Sequence, residues 1–203
     1  MSKTTIPLDL DGYTDLPPGR IANVVTYLEK RSPDAGARAP LPPGFSVERI
    51  EQPQLDAYRA LYSRIGRDWL WFSRMVMADD TLAALLADPS TEIYFLLRGG
   101  EPVGLCEIHR GADEAEIAMF GVVPEVTGTG AARGLMSASL DAAWQGSVRR
   151  VWLHTCTFDH PAAVPFYRKM GFVPFKFAIE VSRDPRLTGH LPESAGPHVA
   201  LLK

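Results

Sequence analysis

The segment Phe120-Gly-Val-Val-Pro-Glu-Val-Thr-Gly-Thr-Gly-Ala-Ala-Arg-Gly-Leu-Met136 constrains the fold more than any other. It passes from an apolar, β-branched run through two glycines placed two apart into an alanine- and leucine-rich run. This reads as a strand turning tightly into a helix over Ala131 to Trp144 that ends near Gly146. The amides of such a turn, at a helix N-terminus and with no side chains in the way, suit a phosphate or pyrophosphate. Two common nucleotide loops do not fit. No Gly-Lys-Ser/Thr follows, and the third glycine of the dinucleotide spacing is missing.

The flanking periodicities place this junction in an α/β chain. Residues 1–44 are broken by Pro7, Pro17, Pro18, Gly19, Pro33, Gly36, Pro40, Pro42, Pro43 and Gly44, so helix is disfavoured and an extended arm is expected. Within it, the β-branched stretch Ile21 to Glu29 predicts an edge strand laid against the main domain. Alternation begins at Phe45 to Ile50. From Gln54 to about Ala87, apolar residues recur every three or four positions, predicting two successive helices. Their junction is dense in Trp69, Trp71, Phe72, Met75 and Met77. Three strand-like runs follow, Ile93–Leu97, Val103–His109 and Ala115–Val123, as an antiparallel meander. After the glycine turn and its helix come a buried strand, Val148–Thr155, a short helix, Pro161–Met170, and a closing strand, Phe172–Val181. The main domain is expected over 45–182 in the order β-αα-βββ-α-β-α-β, and 183–203 returns to a proline- and glycine-rich tail.

Composition excludes several classes. Two hundred and three residues, 46% hydrophobic and 22% charged, describe an ordinary globular chain with a real core. Twenty-one basic against 24 acidic residues leave a net charge of -3, so no broad positive field exists for nucleic acid. Proline and charges interrupt the N-terminus before any export signal could form, and no apolar run reaches spanning length. A cytoplasmic chain with no membrane partner is the expectation. Cys106 and Cys156 form neither a redox pair nor a metal-spaced set, so both are expected as reduced thiols.

The second half adds a further pattern. A strand ends in His154-Thr155-Cys156; Asp159-His-Pro161 follows, then a helix with Phe166-Tyr167-Arg168-Lys169, then Gly171-Phe172. Together with the glycine turn and the element order, these segments resemble the GNAT acetyltransferase superfamily over roughly residues 45–182. Its loop falls on Thr127 to Ala132, with Thr127 where the family usually has Gln or Arg, and His160 stands where it often has Asn.

The resemblance implies acetyl-CoA as co-substrate, no metal, and direct N-acetylation of a primary amine on a small molecule or peptide, with homodimerisation common among similar proteins. It implies cofactor contacts from Gly128, Thr129, Gly130, Ala131, Ala132, Arg133 and His160. It also implies an oxyanion-donating amide at Val122 or Val123, beside a strand edge on which the pantetheine arm pairs. Tyr167 matches the tyrosine that reprotonates the leaving thiolate. Glu116 is the candidate general base, with Glu114 and Glu107 as rivals and His109 and His154 as further proton carriers. A Cys156 nucleophile, served by His154 or His160, is disfavoured because nothing supplies a third, orienting group.

Overall fold

The computed structural model describes residues 7–33 and 39–203, so parts of the expected N-terminal arm, 1–6 and 34–38, lie outside the described residues. One seven-stranded mixed sheet organises the chain. In sequence order its strands are β1 (Arg20–Lys30), β2 (Phe45–Arg49), β3 (Thr91–Arg98), β4 (Glu101–Arg110), β5 (Glu114–Val122), β6 (Arg150–Cys156) and β7 (Val173–Arg183). The helices are α1 (Leu55–Gly66), α2 (Asp79–Leu86), α3 (Ala131–Ala143) and α4 (Ala163–Lys169).

Across the sheet the order is β2-β3-β4-β5-β6-β1-β7. Every neighbouring pair is antiparallel except β5 and β6, which run parallel. The expected meander is therefore present. Its β3–β4 hairpin turns on Gly99 and Gly100, at φ 58° and 88°, both in the region that a two-residue hairpin of matching twist demands.

α1 buries Tyr58, Leu61, Tyr62 and Ile65, one stripe at helical spacing. Tyr58 meets Glu107 of β4, whereas the adjacent Cys106, on the opposite face of the strand, lies beside Ser139 of α3. The α1 and α3 helices therefore cover opposite faces of the sheet.

The arm strand departs from expectation. β1 is not at an edge. It is paired along its length, Val25 to Lys30 with β6 and Arg20 to Glu29 with β7. Its burial explains the position: Ile21, Asn23, Val25, Leu28 and Lys30 are all buried. The edge falls to β7, which tolerates Pro174 because an edge strand has one side free of ladder bonds. Its alternating apolar residues Phe175, Phe177, Ile179 and Val181 stay 42–71% exposed instead of closing a core.

The tail beyond β7 has no helix or strand among the described residues, yet it is firmly tied. Buried Arg186 pairs with buried Asp184 and donates to the carbonyls of Ala195, Val199 and Ala200. Leu191 and Ala195 then pack with Ile21, Leu70 and Phe158.

Candidate active site

Only four register pairs join β5 to β6, from Glu114↔Arg150 to Ile117↔Leu153. Beyond them β5 continues to Val122 along β4, while β6 continues to Cys156 along β1. The strands diverge, and their facing backbone groups are left free of the sheet. A cavity of about 610 Å³ occupies the gap. It is lined from one face of the sheet by Tyr62 and Ile65 of α1 and from the other by Ala132 of α3 and Tyr167 of α4, so it passes through the sheet.

The register decides which amide serves this gap. Val123 donates to the carbonyl of Val103 at 2.9 Å and is 1% exposed, which removes it as an oxyanion donor. Val122 is paired opposite Gly104, and successive peptide groups of a strand point to opposite edges. With Val123 turned to β4, the Val122 N–H is turned to the gap.

At the turn, Gly128 and Gly130 have φ of 82° and 89°, which an L side chain rarely adopts. Gly130 caps α3. The six turn residues expected to contact the cofactor, Gly128 to Arg133, then divide. The Thr129 amide goes to Val126, that of Ala131 to the Thr129 hydroxyl at 3.3 Å, and that of Arg133 to Gly130. The amides of Gly128, Gly130 and Ala132 have no acceptor among the described residues. They form an alternating set of free donors at a helix start, a cradle for an anionic group. Nothing would meet a Cβ at Gly128 within 4 Å, so its approach is open, and the Arg133 guanidinium lies 3.6 Å from where a Cβ on Gly130 would be. His160 lies along the cavity, its Nδ1 accepting from the Ala162 amide at 3.0 Å and its ring edge-on to Trp69.

Tyr167 is 8% exposed among Phe120, Phe166 and Phe172, and its hydroxyl makes no hydrogen bond among the described residues. Burial, then the nearby negative charge of Asp159, holds its phenol well above the ordinary range. Its proton is therefore kept and can be given only to a strong base.

The carboxylates sort differently from expectation. Glu116 sits where β5 and β6 are still paired, opposite Trp152, and does not line the cavity. Its Oε1 is 3.6 Å from Nδ1 of His154, which does. Glu114 is taken by Arg150 at 2.9 Å. Glu107 is fully buried away from the cavity. Burial alone would raise it, but hydrogen bonds from His109, Arg74 and Tyr58 and the Arg74 charge outweigh burial and bring it to about 2. His109 is spent in that network.

Cys156 is pushed up to about 12 by burial and then by Asp159, so its thiol stays protonated at neutral pH. This argues against a cysteine nucleophile. Cys106, also pushed up to about 12 by burial, is a second free thiol.

Of the aromatic junction, Trp69, Trp71 and Phe72 line the cavity, while Met75 and Met77 pack on the core. Asp159, quoted in the sequence pattern but given no role there, proves central: it accepts from Trp71 Nε1 at 2.9 Å, the Thr155 hydroxyl at 2.6 Å and the Cys156 amide at 2.9 Å. An Asp two residues before the proline that precedes α4 was the available signal. No helix among the described residues is long and apolar enough to cross a membrane.

Residues 56–172, more than half of the chain, match the acetyltransferase (GNAT) family. Over 71 residues the chain is 37% identical to N-alpha-acetyltransferase 30 of Schizosaccharomyces pombe, a match that covers 34% of this chain and 47% of that protein. The matched stretch is thus about half the length of this relative. Among solved structures, a GCN5-related N-acetyltransferase from Sphaerobacter thermophilus superposes with a TM-score of 0.60 at 20% identity, covering 79% of this chain and 51% of that one. A tandem GNAT protein from the clavulanic acid biosynthesis pathway gives 0.56 at 18% identity, with 80% and 53% covered. With its parallel pair splayed over a through-sheet cavity that Ala132 and Tyr167 both line, and with residues 56–172 matching that family, the chain belongs to the GNAT acetyltransferase family.

Proposed function

We propose that this protein is an acetyl-CoA-dependent N-acetyltransferase that acts on a primary amine by direct transfer. The divergence of β5 from β6 carries the reading, because it leaves the Val122 amide free in a cavity that also holds the Tyr167 hydroxyl. Acetyl-CoA would supply an activated acyl group as a thioester. The free amides of Gly128, Gly130 and Ala132, with Arg133 beside them, would hold its phosphates, and the open edge of β5 would hold its pantetheine arm as an added strand.

The remaining groups divide the proton and charge work. The Val122 N–H stabilises negative charge developing on the thioester oxygen. His154 lines the cavity with the Glu116 carboxylate 3.6 Å from its Nδ1, and an imidazole there can take the proton the attacking amine must lose. In this reading Glu116 acts through His154. Tyr167 returns a proton to the departing thiolate.

For the homodimer that the resemblance implies, the support is the exposed apolar row of β7 with Val24 beside Ile179. A solution mass of 22.3 kDa by light scattering would remove it.

Calorimetric titration with acetyl-CoA, with adenosine diphosphate as a phosphate control, tests the cofactor assignment. Selective binding followed by thiol release in the presence of amines supports the proposal. Binding without transfer to a broad amine panel would instead identify a CoA-binding domain that does no chemistry.

A further inference from the structure

The cavity wall carries three carboxylates, Asp68, Asp159 and Glu180, and neither lysine nor arginine lines it. Two of the three are committed. Asp159 already accepts three hydrogen bonds, from Trp71, Thr155 and Cys156, and Asp68 faces Arg67 at 3.5 Å. Glu180 of β7 is different. It accepts Nδ2 of Asn23 at 3.0 Å, and no cation pairs with it among the described residues.

That bond also fixes its partner. A carboxylate only accepts, so the Asn23 amide must turn its nitrogen to Glu180 and keep Oδ1 as its other end. Asn23 is 5% exposed and lines the cavity, and Oδ1 has no hydrogen-bond donor among the described residues. A buried acceptor without a donor thus adjoins an exposed carboxylate that has no cationic partner among the described residues. Both deficits are met by one kind of group, a cation that bears N–H donors.

This cation cannot be the nitrogen that reacts. A neighbouring carboxylate favours the protonated amine, whereas attack on a thioester needs the lone pair free. The acceptor must then carry two nitrogens. We propose that the substrate is a small diamine or polyamine whose non-reacting ammonium docks at Asn23 Oδ1 and Glu180 while its other, neutral primary amine is acetylated. This rests on the acetyl-transfer reading above. In the transfer the amine nitrogen forms the C–N bond as the C–S bond breaks. The proton lost by nitrogen goes to the base and the thiolate takes one from Tyr167, leaving amide and free thiol.

The test compares n-alkyl monoamines with α,ω-diamines of three to eight carbons, as substrates with acetyl-CoA and, separately, as ligands by calorimetry. For the best-fitting length, kcat/KM of the diamine should exceed that of the monoamine by about tenfold or more, mainly through KM. In Glu180→Gln, an isosteric change at an exposed position, the ratio should fall to near one. A ratio near one in the unaltered protein, or one that Glu180→Gln leaves intact, overturns the proposal, as does a preference for peptide amines over every diamine. If acetyl-CoA binds but no amine is acetylated, the transfer reading fails. The calorimetric preference and its dependence on Glu180 then still judge the docking site alone.

Discussion

The Trp71 indole donates to Asp159 at 2.9 Å, so the α1–α2 connection is tied to the loop after β6 in the wall of the cavity. The same carboxylate holds Thr155 and the Cys156 amide. Removing it by Asp159→Ala strands three donors. Urea denaturation should show a loss of about 3 kcal/mol, since each stranded buried group costs roughly 1–3 kcal/mol and some will find water. Asp159→Asn, which can keep one or two of these bonds, should lose less.

Tyr167→Phe removes a hydroxyl that makes no protein hydrogen bond among the described residues and leaves the ring in place. Thermal stability should be unchanged and acetyl-CoA affinity retained. The kcat should fall by about 10²-fold or more if the phenol reprotonates the thiolate. Unchanged turnover would place the general acid elsewhere.

Glu107 gives a pH signature. Its folded-state pKa of about 2 lies below the ordinary value of 4.5, so its ionised form is favoured by folding. The stabilisation is fully present above pH 4.5 and is lost as pH falls toward 2. At pH 7, Glu107→Gln should cost about 3 kcal/mol, because Arg74 is left buried without its charge partner. The gap between wild type and variant, followed by denaturation midpoints, should close as the solution is acidified through that window. A gap independent of pH would mean that packing, and not ionisation, makes the difference.

Cys156→Ala should retain most of the turnover at neutral pH, because the native thiol, pushed up to about 12, is scarcely ionised there. Abolished turnover, or an acetylated cysteine found by mass spectrometry of the wild type, would restore the covalent route.

Gly130→Ala forces a Cβ into a backbone at φ 89°. A strain of roughly 1–2 kcal/mol is expected, together with weaker acetyl-CoA binding as the helix start shifts and its free amides lose their alignment. Calorimetry on the folded variant separates the two effects.

Much of this was legible in the chain itself. The apolar spacing of Tyr58, Leu61, Tyr62 and Ile65, the Gly99-Gly100 hairpin and the Gly128-Thr-Gly130 turn are local patterns, and local patterns set local conformation. They sufficed for the element order, whereas the roles of the Gly turn and of Tyr167 came from the family resemblance and not from local pattern. Side-chain roles were less legible: Glu107, Glu114 and Glu116 lie within ten residues on adjoining strands, and only their neighbours distinguish an anchored buried ion, a surface pair and a carboxylate behind a histidine.

What tertiary structure alone decided were the long-range pairings. The insertion of β1 between β6 and β7 joins segments more than 120 residues apart, and it is this that brings Asn23 beside Glu180 and places both on the cavity. The choice of Val122 over Val123 likewise came from the register against β4, since a strand sends alternate amides to opposite edges and its own sequence does not say which edge will be left open.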